Sequence, residues 1–243
     1  MLQYFELRPP QPLASTVECF WVMRQMGKVS VSHRVVPDGC ADILFTRAPG
    51  SAELTAVGAM THFEDFDLPP GQWTVGVRFR PGMWSKQLGV TGGEITDRQI
   101  LLQDLWGKRA RSIEGCLGDA ATPEECVKLW AREVAPSPSP TAIQRAIAWM
   151  EQRHGQVSLD QTARHCGLSV RQFRRVCLEQ TGLSPKFLAR VLRFRHALTK
   201  VRSHAGAHAG LAAECGYFDQ SHLIAEFRCF SGRTPTMYSS AIP

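Results

Sequence analysis

The sequence lacks any apolar run of about 18 residues, the length that a helix needs to cross a bilayer. Its start, MLQYFELRPPQPLAS, lacks the basic segment and apolar core of a secretory signal. Of its eight cysteines, no two form a Cys-x-x-Cys or Cys-x-x-x-Cys pair. We therefore expect a cytoplasmic protein without a membrane partner, with reduced cysteines and without a zinc site.

Catalytic motifs are also missing. There is no Gly-x-Ser-x-Gly elbow, and the glycine-rich stretch GVTGGE at 89–94 lacks the Lys-Ser or Lys-Thr of a phosphate loop. The first half contains only His33 and His62, with Glu64 near the second, whereas a metal-dependent cupin needs a His-x-His cluster. We therefore predict no catalytic residue, no metal and no cofactor, and hence no enzyme.

Charge and proline divide the chain. The 243 residues suggest two domains. Residues 1–135 contain 14 Lys and Arg against 16 Asp and Glu, while residues 136–243 contain 14 against 6. Residues 135–140, APSPSP, read as an extended linker. We predict domains at 1–134 and 141–243, and the basic second half suggests a polyanionic partner.

The first half reads as strands followed by helices. Val75, Val77 and Phe79 alternate with smaller or charged residues, as in a half-buried strand. Turn residues separate four such stretches, which are 17–24, 32–37, 41–46 and 73–81. Helices are expected at about 95–134, with Thr122 as an N-cap. The pattern predicts a β-rich barrel or sandwich with trailing helices.

The second half reads as helix throughout and repeats itself at a shift of 49–50 residues. Helices are expected at 141–155, 158–167, 169–182, 184–201, 207–215 and 219–230. Ala163-x3-Gly167 is matched by Ala212-x3-Gly216, and both copies end in Gly-x-Ser/Thr-Pro. The second copy carries one extra residue after its glycine. Each copy has the pattern of a helix-turn-helix, whose second helix enters the DNA major groove.

Residues 141–240 resemble the DNA-binding domain of the AraC/XylS family of bacterial transcription regulators. The first copy carries the resemblance at Ala163, Gly167, Leu168, Ser169, Phe173, Gly182 and Pro185. The second carries it at Ala212, Gly216, Tyr217, Asp219-Gln220-Ser221-His222, Phe227, Gly232 and Pro235. The long helix 184–201 resembles the family's rigid connector, which would hold the two reading helices about 34 Å apart.

The first half resembles, more loosely, the small β-rich sensory domain of some family members, through RVVPDGCADILF, VGAM and VGVRFRPGMW. That resemblance implies a cupin-like fold, and hence an α+β multidomain protein with an all-α tandem helix-turn-helix domain. Candidate ligand-binding residues are Trp21, Cys40, Phe45, Trp73, Arg78 and Phe79. Core packing is the alternative for the aromatic residues.

Residues on or directly after each reading helix are the candidate DNA contacts. From the first copy they are Ser169, Arg171, Gln172, Arg174, Arg175 and Lys186, and from the second Gln220, Ser221, His222 and Arg228. Arginine can pair with guanine O6 and N7, and glutamine with adenine. Further phosphate contacts are open to Arg190, Arg193, Arg195, Lys200 and Arg202, although Arg193 and Arg195 could instead make intramolecular contacts.

We therefore predict a sequence-specific regulator that binds double-stranded DNA and is modulated by a small-molecule effector. RNA polymerase is a further partner if the protein activates transcription, and a homodimer is possible through the first domain. Two alternatives stay open. One is a redox or electrophile sensor, or a repair-linked DNA-binding protein, that uses Cys40. The other is a cupin-type enzyme fused to a DNA-binding domain.

Overall fold

The architecture is taken from a computed structural model, which describes residues 1–137, 140–201, 203 and 208–240. Eight strands are described: β1 (Leu2–Leu7), β2 (Val17–Gln25), β3 (Val31–Val35), β4 (Ala41–Ala48), β5 (Ser51–Val57), β6 (Glu64–Leu68), β7 (Trp73–Phe79) and β8 (Gln99–Leu101). Six of them form one antiparallel sheet in the order β1-β2-β7-β4-β5-β8. The other two, β3 and β6, pair only with each other.

The two faces of the six-stranded sheet have different chemistry because side chains alternate along each strand. On β4 and β7, Ile43, Phe45, Val75 and Val77 point to one face and are fully buried. The opposite face carries Asp42, Thr46, Thr74 and Arg78 from the same strands, and it lines a cavity. One face therefore builds the core, and the other is available to a ligand.

Five helices cover the apolar face: α1 (Ser85–Leu88), α2 (Gly92–Ile95), α3 (Leu102–Trp106), α4 (Lys108–Gly118) and α5 (Pro123–Glu133). Trp84, Leu117 and Trp130 from this region are fully buried in the same core as Phe45. Thr122 caps α5 by accepting a hydrogen bond from the Glu125 N–H, as its sequence predicts. The β3–β6 pair lies on the other side and contributes Phe66 and Leu68 to the cavity wall.

Seven further helices are described after the linker: α6 (Ala142–Gln152), α7 (Leu159–His165), α8 (Val170–Thr181), α9 (Pro185–Lys200), α10 (His208–Glu214), α11 (Gln220–Ser231) and α12 (Pro235–Ser240). Helix α9 serves two cores because opposite faces of it are apolar. Leu188 and Leu192 pack with α6–α8, whereas Phe194 and Ala197 pack with α10 and α11. One helix thereby joins the two repeated units.

The expected fold class is confirmed, with a β-rich first domain and a helical second domain. Three strands, β1, β5 and β6, and three helices, α1, α2 and α12, were not expected from the sequence. The expected helical region at about 95–134 contains a short strand, β8, because Gln99–Leu101 pairs with the edge of β5. Residues 138 and 139 of the expected linker lie outside the described residues, and the domain boundaries stay predictions.

Candidate DNA-binding surface and interdomain cavity

The first reading helix, α8, begins with a complete capping box. The Gln172 N–H donates to Ser169 Oγ at 3.2 Å, and Gln172 Oε1 accepts from the Ser169 N–H at 2.9 Å. Phe173 and Cys177 are fully buried, as their spacing predicts. The first turn is thereby held in place, but the oxygen of Gln172 is already engaged by the cap.

Three arginines project from the exposed face of α8. Arg175 forms an ion pair with Glu179 one turn later, with 3.0 Å between Nη1 and Oε2. Arg171 and Arg174 are exposed, and neither has an ion-pair partner among the residues that the structure describes. Lys186, near the start of α9, is exposed in the same way. Arg171, Arg174 and Lys186 thus give the first unit a positive surface without ion-pair partners in the part of the chain that the structure describes.

The second reading helix, α11, is capped by Asp219, which accepts a hydrogen bond from the His222 N–H at 2.7 Å. The His222 ring folds back and its Nδ1 accepts from the Phe218 N–H at 3.4 Å. Leu223, Phe227 and Phe230 are fully buried in the second core. Much of the His222 side chain thus supports the cap.

The outer face of α11 is nearly uncharged at its start. Gln220, Ser221 and Ala225 are exposed, and Arg228 is the exposed cation farther along the helix. Glu226 points inward instead, where its carboxylate accepts from Arg190 Nε at 2.9 Å. The two reading helices therefore share a cap and a buried face but differ in charge.

Most of the basic residues on α9 that are candidates for phosphate contacts form intramolecular ion pairs or hydrogen bonds instead. Arg190 pairs with Glu226, and Arg193 donates to the Gly155 carbonyl at 3.4 Å. Lys200 pairs with Glu214 at 2.8 Å. Arg195 contacts the first domain, which confirms its alternative intramolecular role. Arg202 lies outside the described residues.

The first domain touches the C-terminal ends of both reading helices. Each helix ends at a left-handed glycine, Gly182 after α8 and Gly232 after α11. A Cβ at Gly182 would overlap Thr96 Oγ1, and one at Gly232 would lie 2.7 Å from Phe63 Cζ. Since each helix has 12 residues, its opposite end lies about 18 Å farther along the helix axis. The N-terminal turns are therefore left uncovered by these contacts.

A second interdomain contact lies beside these helix ends. Arg34 of β3 donates from Nη1 to the Ser231 carbonyl at 3.0 Å, and its guanidinium lies 4.3 Å from the Phe63 ring centroid. The same arginine is paired with Asp65 on β6. The β3–β6 pair is thereby attached to the end of α11.

A cavity of about 550 Å³ lies between the six-stranded sheet and the β3–β6 pair. Trp21, Leu44 and Arg78 line it from the sheet, and Phe66 lines it from β6. The connector helix α9 completes the wall with Arg195, Leu198 and Thr199. The cavity is thus built by both domains, and this volume falls in the range of small-molecule sites.

Charged groups meet on the cavity floor. Arg78 Nε lies 3.2 Å from Asp42 Oδ1 and 3.5 Å from Asp38 Oδ2, and Trp21 donates to Asp42 at 3.2 Å. Burial raises the pKa of Asp42, although Arg78 opposes the shift. Burial also lowers the pKa of Arg78, but the two carboxylates outweigh it and hold that pKa well above its usual value.

Arg195 is tied to the same floor from the second domain. Its Nη1 donates to the Asp38 carbonyl at 3.2 Å, and its Nη2 donates to Glu18 Oε1 at 2.9 Å. Glu18 also pairs with Arg80 of the first domain at 2.8 Å. The ion pairs of the cavity floor and those of the connector helix are therefore joined by the hydrogen bond from Arg195 to the Asp38 carbonyl.

The structure separates the candidate ligand-binding residues into two groups. Trp21, Cys40 and Arg78 line the cavity. Phe45 and Phe79 point to the opposite face of the sheet and are buried in the core, with Trp73 packed against them. Their assignment to the ligand site was wrong, because alternation along β4 and β7 turns them away from it.

Cys40 is buried, and burial raises the pKa of its thiol well above the usual value. The reactive thiolate is therefore scarce at neutral pH, which argues against the sensor alternative. His62 is exposed beside Asp97. Among the described residues, no three His, Cys, Asp or Glu side chains come together as metal ligands. No described helix is long and apolar enough to cross a membrane.

Sequence reasoning missed Asp38, Asp42 and the cavity role of Arg195. The alternation along β4 could have placed Asp42 on the face of Arg78, two positions from half-buried Leu44. The capping role of Gln172 was also readable from the Ser-x-x-Gln spacing. No local pattern connects Arg195 to Glu18, which lies 177 residues earlier.

Comparisons with known proteins agree with this geometry. A family described as "Helix-turn-helix domain" matches residues 162–241, and a "Domain of unknown function (DUF6597)" matches residues 5–101. The HTH-type transcriptional activator RhaS of Escherichia coli (strain SE11) is 30% identical over 91 residues. The match covers 37% of this chain and 33% of that protein, so the chain spans about a third of the length of this relative.

Solved structures give weaker likenesses. The C-terminal domain of AraT, a response regulator from Geobacillus stearothermophilus, is 20% identical with a TM-score of 0.40, covering 44% of this chain and 89% of that one. ToxT from Vibrio cholerae O395 is 9% identical with a TM-score of 0.44, covering 99% and 96%.

The two repeated units, each with a capped second helix, place the second half in the helix-turn-helix class. Together with the RhaS match, the residues shared by the two copies make the second half similar to the DNA-binding part of AraC/XylS-type regulators.

Proposed function

We propose that the chain is a sequence-specific transcription regulator that binds DNA through α8 and α11 and responds to a small molecule in the interdomain cavity. One observation carries the proposal. Both reading helices are fixed by a cap, buried on one side and exposed on the other at their N-terminal turns. That is the part of a recognition helix which contacts base edges.

The first unit supplies the charged contacts. Arg171 and Arg174 are exposed and suit guanine O6 and N7, each pair discriminating by about 1–3 kcal/mol. Arg175 can exchange its exposed partner Glu179 for a phosphate, since such surface pairs are weak. Gln172 offers only its amide hydrogens to DNA, because its oxygen holds the cap.

The second unit supplies mainly neutral contacts. Gln220 is exposed, with both amide atoms free of hydrogen bonds to other described residues, so it can pair with adenine through N6 and N7. Ser221 can bond to several base edges, and the small Ala225 allows close approach to the groove. Arg228, a turn farther along, suits a phosphate.

Helix α9 is the proposed route from the cavity to the DNA. It carries three cavity-lining residues, Arg195, Leu198 and Thr199, and it packs into the cores of both units. A ligand that contacts α9 would bind more tightly to one orientation of the two domains, which is the condition for a shift in DNA affinity. Homodimer formation and contact with RNA polymerase stay predictions.

The test of DNA recognition is a selection of binding sites from random duplexes by the full chain. We expect one asymmetric site with two halves, and Arg171→Ala and Gln220→Ala should each relax the sequence in a different half. Arg111→Ala, an exposed charge on α4, is the matched control and should leave the site unchanged. Failure to enrich any sequence would overturn the proposal.

The test of ligand sensing uses a panel of small organic acids, polyols and aromatic amines with the full chain. We expect at least one compound to raise the melting temperature and to change the affinity for the selected site. Thr199→Trp, which fills the cavity from α9, should abolish both effects, whereas Thr199→Val should keep them. A panel without effect, or equal shifts in Thr199→Trp, would refute the sensing role.

A further inference from the structure

Phe218 has no counterpart in the first helix-turn-helix unit. Ser169 and Asp219 are equivalent because each is the N-cap of a reading helix. Leu168 and Tyr217 are equivalent because each follows the turn glycine and packs into the core of its unit. Phe218, between Tyr217 and Asp219, is therefore the additional residue of the second copy.

The Phe218 side chain is almost completely in water. It is 94% exposed, the highest value among the large hydrophobic side chains that the structure describes as exposed. Its backbone is nevertheless held, because its N–H donates to His222 Nδ1 and the next residue is the cap of α11. An aromatic ring in this position gains free energy from any surface that removes it from water.

The surroundings of Phe218 favour DNA over protein as that surface. The exposed side chains that follow it are Asp219, Gln220 and Ser221, so the ring is an isolated apolar group in a polar turn. A stable protein interface buries about 1,200 Å² or more with an apolar centre, which one ring does not provide. The major groove, in contrast, offers isolated apolar groups, namely the C5 methyls of thymine.

We propose that Phe218 contacts a thymine methyl in the half of the site that α11 reads, and so sets sequence preference there. This inference rests on the proposed DNA-binding function. It assigns an apolar contact to the unit that has few charges, and it gives the two halves of the site different chemistry. It also explains why the His222 ring is folded back, since that hydrogen bond fixes the backbone of Phe218.

The experiment uses the full chain and the duplex most enriched in the selection described above. Each thymine in the α11 half is replaced in turn by deoxyuridine, which lacks only the methyl group. Wild-type protein should lose about fourfold in affinity at one position, the ratio expected for one buried methyl group. Phe218→Ala should bind the thymine and deoxyuridine duplexes equally. A double-mutant cycle of the protein and DNA changes then measures the interaction between Phe218 and that methyl group.

Two controls separate the possible outcomes. Val29→Ala, at an exposed apolar residue of the first domain, should keep the wild-type preference for thymine. If a two-part site is selected but Phe218→Ala keeps the wild-type ratio at every position, this inference fails and the proposed function stands. If no site is selected, the proposed function fails first. A change of oligomeric state in Phe218→Ala without DNA would assign the ring to a second copy of the chain and overturn the inference.

Discussion

The two reading helices differ more in chemistry than in construction. Both have 12 residues, an N-cap that accepts a backbone N–H, a buried inner face and a left-handed glycine at the end. The outer face of α8 carries Arg171, Arg174 and Arg175, whereas α11 begins with Gln220 and Ser221 after an exposed Phe218. The comparison teaches that one scaffold can carry a cationic outer face in one unit and a neutral outer face in the other. The proposed function assigns electrostatic attraction to the first face and neutral base readout to the second.

The largest expected difference concerns the cores. Phe227 occupies the position of Cys177 in the repeat, and it packs against Phe194 with ring centroids 5.1 Å apart. Phe227→Ala should lower the free energy of unfolding by about 3–5 kcal/mol. Cys177→Ala should lower it by only about 1 kcal/mol, because a thiol removes less buried surface. Urea unfolding measures both changes in free energy. Equal losses would contradict the inference that Phe227 stabilises its core more than Cys177 stabilises the other.

The next effect tests the charged helix. Arg171→Ala should weaken binding to the selected site by about 1–3 kcal/mol if the side chain pairs with guanine. If it binds phosphate instead, affinity should fall for all sequences and the dependence of log K on log salt should become shallower by about 1. Binding titrations at several salt concentrations distinguish the two, and no change in either quantity would remove Arg171 from the interface.

The neutral helix should behave differently. Gln220→Ala should weaken binding to the selected site by about 1 kcal/mol, since it removes hydrogen bonds to one base pair. The salt dependence should stay that of the wild type, because no charge is lost. Gln161→Ala, at an exposed glutamine on α7, is the matched control. A salt slope altered by Gln220→Ala would break the proposed division between the units.

The smallest expected effect concerns a stacked pair of histidines on and beside the connector helix α9. His196 on α9 stacks on His154 with 3.8 Å between ring centroids. Burial, His154 and Lys200 lower the pKa of His196, partly offset by Glu214. His196 therefore binds a proton less readily in the folded than in the unfolded protein. The free energy of unfolding should then fall as the pH drops below about 6.5, where the unfolded state takes up the proton first.

His196→Gln should remove part of this pH dependence, whereas His62→Gln, at an exposed position of the first domain, serves as the control. Chemical unfolding between pH 7.5 and 5.5, a range of about one unit on each side of the histidine value, provides the measurement. If the free energy of unfolding changes with pH in parallel for wild type and His196→Gln, the stacked His154–His196 pair does not contribute to the pH dependence.

Local patterns predicted the second domain well. The two reading helices and the turn glycines that precede them follow from short spacings that one helix-turn-helix unit repeats in the next. Strands that were not predicted lack such short spacings. The acidic strand β6 and the edge strand β1 have no strong alternation of their own and are defined by their partners β3 and β2.

The cavity was harder to predict because it depends on which face of the sheet lies outward. Phe45 and Arg78 were both candidates, and only the register of β4 with β7 separates them. The part of the cavity wall that α9 forms depends on the contact of Arg195 with Glu18, which lies 177 residues earlier in the sequence. Neither the sheet register nor this contact has a signature in a short window of sequence.

The shared wall restricts how the two halves of this chain can be recombined with other proteins. A hybrid that joins residues 1–134 to a foreign DNA-binding half would lose Arg195, Leu198 and Thr199, and its pocket would stand open to water on that side. If the cavity binds an effector as proposed, transplanting the first half without a matching connector helix should change which compounds bind there. Chimeras that keep α9 with the first domain should retain the complete cavity wall.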